Sequence, residues 1–62
     1  MEQILKQGKQ LIKEGVNFQI VNQFGEQKTF MRGTVIYNAQ SLRTFVKIED
    51  SIGMQLEIKV LG

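Results

Sequence analysis

Basic and aromatic side chains are interleaved through the middle of the chain, a combination that could bind single-stranded nucleic acid. The basic residues are Lys28, Arg32, Arg43 and Lys47, and the aromatic residues are Phe24, Phe30, Tyr37 and Phe45. In single-strand binding, cations follow the phosphates while rings stack on the bases, and each stacked base contributes about 1–3 kcal/mol. In most small domains, by contrast, aromatic residues form the core and Lys and Arg are solvated.

The nucleic-acid hypothesis depends most on one ring, that of Phe45. In a strand, Phe45 shares a face with Lys47 and Glu49, so we expect its ring to be partly exposed or buried in an interface. The predicted contacts for RNA or single-stranded DNA are Lys28, Arg32, Arg43, Phe45 and Lys47.

Residues suited to catalysis are scarce. The chain has no histidine and no cysteine, so the commonest general base and the most nucleophilic side chain are absent. Ser41 and Ser51 fall in predicted turns, where hydroxyls serve backbone hydrogen bonds. Glu49 and Asp50 are adjacent and would point to opposite faces of a strand. We therefore expect no enzyme activity, no catalytic residue, no metal site and no cofactor.

The size and charge of the chain suggest a domain that needs a partner. Its 62 residues suffice for one domain, over residues 1–62, and without cysteine or histidine neither a disulfide nor a zinc site of the usual ligands can stabilise it. Oligomerisation is the remaining common means, so we expect a homo-oligomer or a protein partner. The net charge of +2 permits an anionic partner without requiring one. No apolar run is long enough for a membrane span, which makes the cytoplasm the expected location and a membrane partner unexpected.

A helix is predicted over about residues 2–14, because apolar residues recur there at helical spacing. The apolar arc consists of Met1, Ile4, Leu5, Leu11 and Ile12. Gly8 lies in the middle of this arc, where it either permits a close approach or is merely tolerated. Gly15 is well placed just beyond the end of the helix.

After Gly15 the apolar period changes from 3.6 to 2, which predicts four strands. They span about residues 16–22, 29–37, 43–49 and 54–61. Gly53 is expected to supply a positive φ in the turn before the last strand. Short strands joined by short turns indicate an antiparallel meander.

The predicted fold class is mainly β with one N-terminal helix, a small bent antiparallel meander or barrel. In "KTFMRGTVIYN", residues 28–38, apolar side chains occupy both faces of the predicted strand, which suggests a corner at Gly33 where the strand bends. The alternative is a two-layer α+β domain with one helix on a four-stranded antiparallel sheet.

The order of these elements resembles the Sm-like family of small β-barrels, which includes the Hfq-type proteins. "ILKQGKQLIKEGVNFQIVN" is similar to the helix and first strand of that family, and "FMRGTVIYN" to its second strand. The resemblance covers about residues 4–48 and implies a bent barrel, ring assembly and RNA binding. The family's second signature has no counterpart in "SIGMQLEIKVLG", so the resemblance supplies no site residues.

Self-assembly or a protein partner would use the helix and the last strand. The last strand can offer an unpaired edge to another chain, and the helix can pack against its own copy through Gly8. The predicted interface residues are Gly8, Leu11, Leu56, Ile58 and Val60. We therefore expect a small non-enzymatic binding or regulatory protein that acts through protein–protein interaction and self-assembly. The alternative is binding of RNA or single-stranded DNA.

Overall fold

The computed structural model describes residues 2–62, which form two helices and three strands. The elements are α1 (Glu2–Glu14), β1 (Phe18–Asn22), β2 (Gln27–Phe30), α2 (Val35–Ser51) and β3 (Leu56–Val60). The strands form one open antiparallel sheet in the order β2-β1-β3. The fold of the described residues is therefore α+β. Met1, which the sequence places on the apolar arc of the first helix, lies outside the described residues.

The predicted mainly β fold is wrong, and no closed barrel forms in residues 2–62. The predicted strand over 43–49 lies inside α2, and the predicted strand over 29–37 ends at Phe30, after which the chain turns into α2. The alternative prediction, a two-layer α+β domain, has the right fold class. It has one helix where the structure has two, and four strands where the structure has three. The barrel that the family resemblance implied is thus corrected to an open sheet with two helices on one face.

The segment that forms α2 fits two periodicities, and the helical one prevails. Thr44, Val46 and Ile48 alternate as in a strand, but the residues of α2 that are buried are Leu42 and Val46, which are four apart. Residues four apart share one face of a helix. No glycine or proline interrupts residues 34–52, and the predicted loop "NAQS" contains two good helix formers. Ser41, expected in a turn, therefore lies within the helix.

Gly33 is not a strand corner. It lies in the loop between β2 and α2, and it is not among the glycines with a positive φ. The nearest heavy atom to a Cβ built on Gly33 would be the Met31 carbonyl oxygen at 3.9 Å, an ordinary contact. In the same loop, the Asn38 side chain donates a 2.9 Å hydrogen bond from Nδ2 to the Met31 carbonyl oxygen. This bond ties the loop to the first turn of α2.

Both helices end in the same hydrogen-bonded glycine motif. At the end of α2, the Gly53 amide donates to the Asp50 carbonyl at 3.0 Å and the Met54 amide to the Glu49 carbonyl at 3.0 Å. Gly53 has a φ of 75°, the left-handed conformation that this motif requires and the sequence predicts for this residue. Gly15 closes α1 in the same way, with a φ of 71°. The two glycines thus direct the chain from each helix into the next strand.

Both helices cover one face of the sheet, and the core lies between. Alternate residues of the central strand β1 point into this core, as expected for a sheet with one solvated face. The buried apolar residues are Ile12, Phe18, Ile20, Phe30, Leu42 and Val46. The rings of Phe18 and Phe30, which face each other across β1 and β2, stack with centroids 5.0 Å apart.

The two helices approach each other where Leu42 of α2 rests on Gly8 of α1. Both residues are buried, and a Cβ built on Gly8 would lie 2.7 Å from Leu42 Cδ2. Such a distance is far below the 3.5–4.0 Å at which carbon atoms attract. Gly8 therefore serves a close approach, which is between the two helices of one chain.

We expect Gly8→Ala to destabilise the chain by about 1 kcal/mol, measured by urea denaturation at fixed protein concentration. Overpacking a core costs about 1–3 kcal/mol, which outweighs the gain of about 1 kcal/mol from alanine's better helix propensity. In a Leu42→Ala background the same change should stabilise, because the clash is gone and the new methyl group fills part of the cavity.

The reversal of sign is the decisive feature of this double-mutant cycle. If Gly8→Ala destabilises equally in both backgrounds, Leu42 is not what lies against Gly8.

Candidate functional site

A groove on the surface runs between α2 and β2 and is the best candidate for a binding site. It is lined by Lys28, Tyr37, Gln40, Ser41, Thr44, Phe45 and Ile48. The groove exists because α2 turns Leu42 and Val46 toward the core and leaves the neighbouring stripe uncovered. On the opposite wall, Lys28 shares the helix-facing side of the sheet with Phe30 but lies beyond the cover of the helices, fully on the surface.

An exposed apolar stripe follows α2 along the groove. Tyr37 is 69% exposed, Ile48 is 57% exposed and Ile52, next to the C-terminal end of the helix, is 63% exposed. Phe45 is half-buried and packs against the edge of the core. These residues recur at intervals of three, four, seven or eight positions, so they lie on one side of the helix. Clustered apolar side chains on a surface commonly mark a site of interaction.

One cationic side chain, that of Lys28, belongs to the groove lining. The Lys28 ammonium group lies 5.9 Å from the ring centroid of Phe30, within range of a cation–π interaction. Arg43 and Lys47 are four residues apart on the exposed side of α2, so they form a basic line along the helix outside the groove lining. Lys28 therefore favours an occupant that carries negative charge.

The structure brings together only some of the residues predicted to contact nucleic acid. Lys28 and Phe45 line the same groove, while Arg43 and Lys47 lie on α2 outside its lining. Arg32 lies elsewhere, in the loop after β2, where its backbone amide donates a 2.6 Å hydrogen bond to Asn17 Oδ1. Its Cδ atom is 3.5 Å from where a Cβ of Gly15 would lie, beside the end of α1.

Sequence reasoning missed two apolar members of the groove lining, Tyr37 and Ile48, and the neighbouring Ile52. It placed Tyr37 at the end of one predicted strand and Ile48 within another. The signal that identifies them is their helical spacing beside a second stripe, that of Leu42 and Val46. Two adjacent apolar stripes on one helix exceed what a single core needs.

The hydroxyl and carboxyl groups that the sequence singles out all lie along α2. The Ser51 hydroxyl donates a 2.6 Å hydrogen bond to the carbonyl oxygen of Ile48, one turn earlier in α2. Glu49 is half-buried on α2, whereas Asp50 is exposed on another side of the helix. The described part of the chain also contains no cluster of three or more acidic residues that could hold a metal ion.

A second apolar surface lies between α1 and the free edge of β3. It is lined by Lys6, Gln7, Gln10, Leu11, Ile58 and Val60. Three of the predicted interface residues, Leu11, Ile58 and Val60, thus lie together, and Val60 is 56% exposed. Leu56 lies on the same strand and is half-buried, whereas Gly8 is buried beneath Leu42.

Comparison of this chain with protein-family models, with curated proteins and with solved structures finds no match. A candidate site must therefore be argued from the geometry of the chain itself. Within residues 2–62, neither helix has the length and apolar character needed to cross a membrane.

The exposed stripe should contribute little to the stability of the isolated chain. We expect Ile48→Gln to change the free energy of unfolding by less than about 0.5 kcal/mol, because the side chain is mostly exposed and glutamine is a good helix former. Leu42→Ala, at the fully buried neighbouring stripe, should cost about 2–5 kcal/mol. Urea denaturation followed by circular dichroism compares the two variants. Equal losses in the free energy of unfolding would place Ile48 in the core.

Proposed function

We propose that the chain is a non-enzymatic binding protein that holds a segment of a partner protein in the groove between α2 and β2. The observation that supports this proposal is the apolar stripe of Tyr37, half-buried Phe45 and Ile48 on α2, with Ile52 just beyond the end of the helix. The fold leaves Tyr37, Ile48 and Ile52 mostly exposed, and water solvates such side chains poorly. A partner that covers them gains the hydrophobic free energy of their burial.

The chemistry of the groove favours an amphipathic segment with apolar anchors and carboxylates. Apolar side chains of the segment would pack on the stripe, as in complexes where a helix lies in a groove. Its acidic residues would meet Lys28 on the β2 wall. This exposed cation would mainly accelerate association and select against basic partners. The apolar contacts would supply most of the affinity.

A protein segment suits this groove better than a nucleic acid does. Bases stack on rings, and the groove offers only the rings of Tyr37 and Phe45, whereas Ile48 is aliphatic and cannot stack. Three of the predicted nucleic-acid contacts, Arg32, Arg43 and Lys47, lie outside the groove lining. Binding of a nucleic acid is therefore the less favoured result of the experiment described next.

The proposed function is tested by selecting a random peptide library displayed on phage against the full chain. We expect enriched peptides that combine large apolar residues with Asp and Glu. Synthetic copies of these peptides should bind the Ile48→Ser variant about tenfold or more weakly, because a central apolar anchor of an interface typically contributes at least 1.4 kcal/mol.

Phe24→Ser is the matched control for this experiment. Phe24 is 70% exposed in the turn between β1 and β2 and is absent from the groove lining, so its loss should leave peptide affinity unchanged. Equal weakening by both substitutions, or no enriched consensus, would refute the proposal. If a labelled oligothymidylate binds through Ile48 and the peptides do not, the occupant is nucleic acid and the protein-segment proposal fails.

A further inference from the structure

The free edge of β3 has a backbone pattern that can be derived from its pairing with β1. The Leu61 amide donates a 2.9 Å hydrogen bond to the Asn17 carbonyl, and these two residues continue the register of Phe18 opposite Val60. In an antiparallel ladder, hydrogen-bonded and non-hydrogen-bonded pairs alternate. The backbone groups of Glu57 and Lys59 are therefore directed at β1.

The backbone groups of the intervening residues, Leu56, Ile58 and Val60, consequently point away from the sheet. They present a row of N–H and C=O groups along an edge that pairs with no further strand, since β3 has β1 as its single strand neighbour. Such an edge is a ready template for pairing with another strand.

The side chains of β3 make this edge complementary to itself. The strand reads "LEIKV", which places an acid and a base symmetrically on either side of Ile58. If two copies pair antiparallel about a twofold axis at Ile58, Glu57 of each copy lies opposite Lys59 of the other. Leu56 lies opposite Val60 of the other copy, and Ile58 lies opposite itself. Two of the five cross-strand pairs then join opposite charges, which stabilises a sheet, and the other three join aliphatic side chains.

The backbone pattern agrees with this register. Because the groups of Ile58 point outward, Ile58 and its copy exchange both hydrogen bonds. The flanking pairs of Glu57 with Lys59 then fall at non-hydrogen-bonded positions, where the Cα atoms are only about 4.5 Å apart and side chains interact most closely. Both charged side chains lie on the open face of the sheet, opposite Val21 and Gln19 of β1, where no helix interferes.

The other edge of the sheet lacks this charge pairing. β2 contains four residues, and Lys28 is its single charged residue, so antiparallel pairing of β2 with its own copy joins no opposite charges. A twofold axis at Lys28 would place two ammonium groups opposite each other. Lysine on an edge strand commonly discourages pairing. Charge complementarity between two copies is thus a property of β3 and not of β2.

We propose that β3 pairs with β3 of a second copy of this chain, about a twofold axis at Ile58, and so joins the two three-stranded sheets into one. The twofold axis places the helices of both copies on the same face of the joined sheet. The second apolar surface, which includes Leu11, Ile58 and Val60 beside α1, would then adjoin the same surface of the other copy. The two copies would cover most of it together. This interface is separate from the groove between α2 and β2 and does not depend on the function proposed for that groove.

Charge exchange at Glu57 and Lys59 tests the proposal by sedimentation equilibrium over a range of protein concentrations. The natural chain should be a dimer. Glu57→Lys alone, or Lys59→Glu alone, places like charges opposite each other at two symmetric positions and should raise the dimer Kd about tenfold or more. The double exchange, Glu57→Lys with Lys59→Glu, should restore dimerisation to within about threefold of the natural chain.

Mixing the two single variants provides the sharpest control. In a heterodimer of the Glu57→Lys chain with the Lys59→Glu chain, both cross-strand pairs again join opposite charges, so the mixture should dimerise although each variant alone does so weakly. Circular dichroism should show that all variants keep the fold, since both residues lie on the open sheet face. A natural chain that remains monomeric, or single variants that dimerise as well as the natural chain, would overturn the proposal.

Discussion

The contact of Leu42 with Gly8 is the constraint on which the rest of the structure depends. Leu42 is fully buried, and the absence of a side chain at Gly8 allows α2 to lie close against α1 above the sheet. This contact determines which side of α2 faces the core. The adjacent stripe, from Tyr37 to Ile52, is consequently left on the surface, so a packing requirement inside the chain creates the groove outside it.

The second consequence concerns the sheet, whose two edges remain open because both helices lie on one face. The two edges have different chemistry. β2 carries Lys28, whose ammonium group lies over the Phe30 ring and borders the groove of α2. β3 carries the symmetric pair Glu57 and Lys59 and borders the apolar surface of α1. The described residues therefore carry two separate apolar surfaces, one beside each edge of the sheet.

The sequence predicts the first helix, because its apolar residues have one clear period and a glycine follows it. It also predicts a strand at β1 and at β3, although each predicted strand begins two residues before the observed one. It does not predict α2, because Thr44, Val46 and Ile48 are β-branched residues in strict alternation, a pattern typical of a strand. Tertiary packing prevails over this local preference: the burial of Leu42 and Val46 together requires helical spacing. The candidate site was consequently recognised in Lys28 and Phe45, while its aliphatic members were missed.

The packing of Leu42 on Gly8 and the helical structure of α2 are tested most directly by a nuclear Overhauser experiment on the labelled chain in solution, combined with its ¹³Cα chemical shifts. The account predicts a strong cross-peak between the Gly8 Hα protons and the Leu42 methyl groups, with helical shifts throughout residues 35–51. Extended shifts over residues 43–49, without that cross-peak, would contradict it. In that case α2, the exposed stripe and the groove between α2 and β2 would not exist.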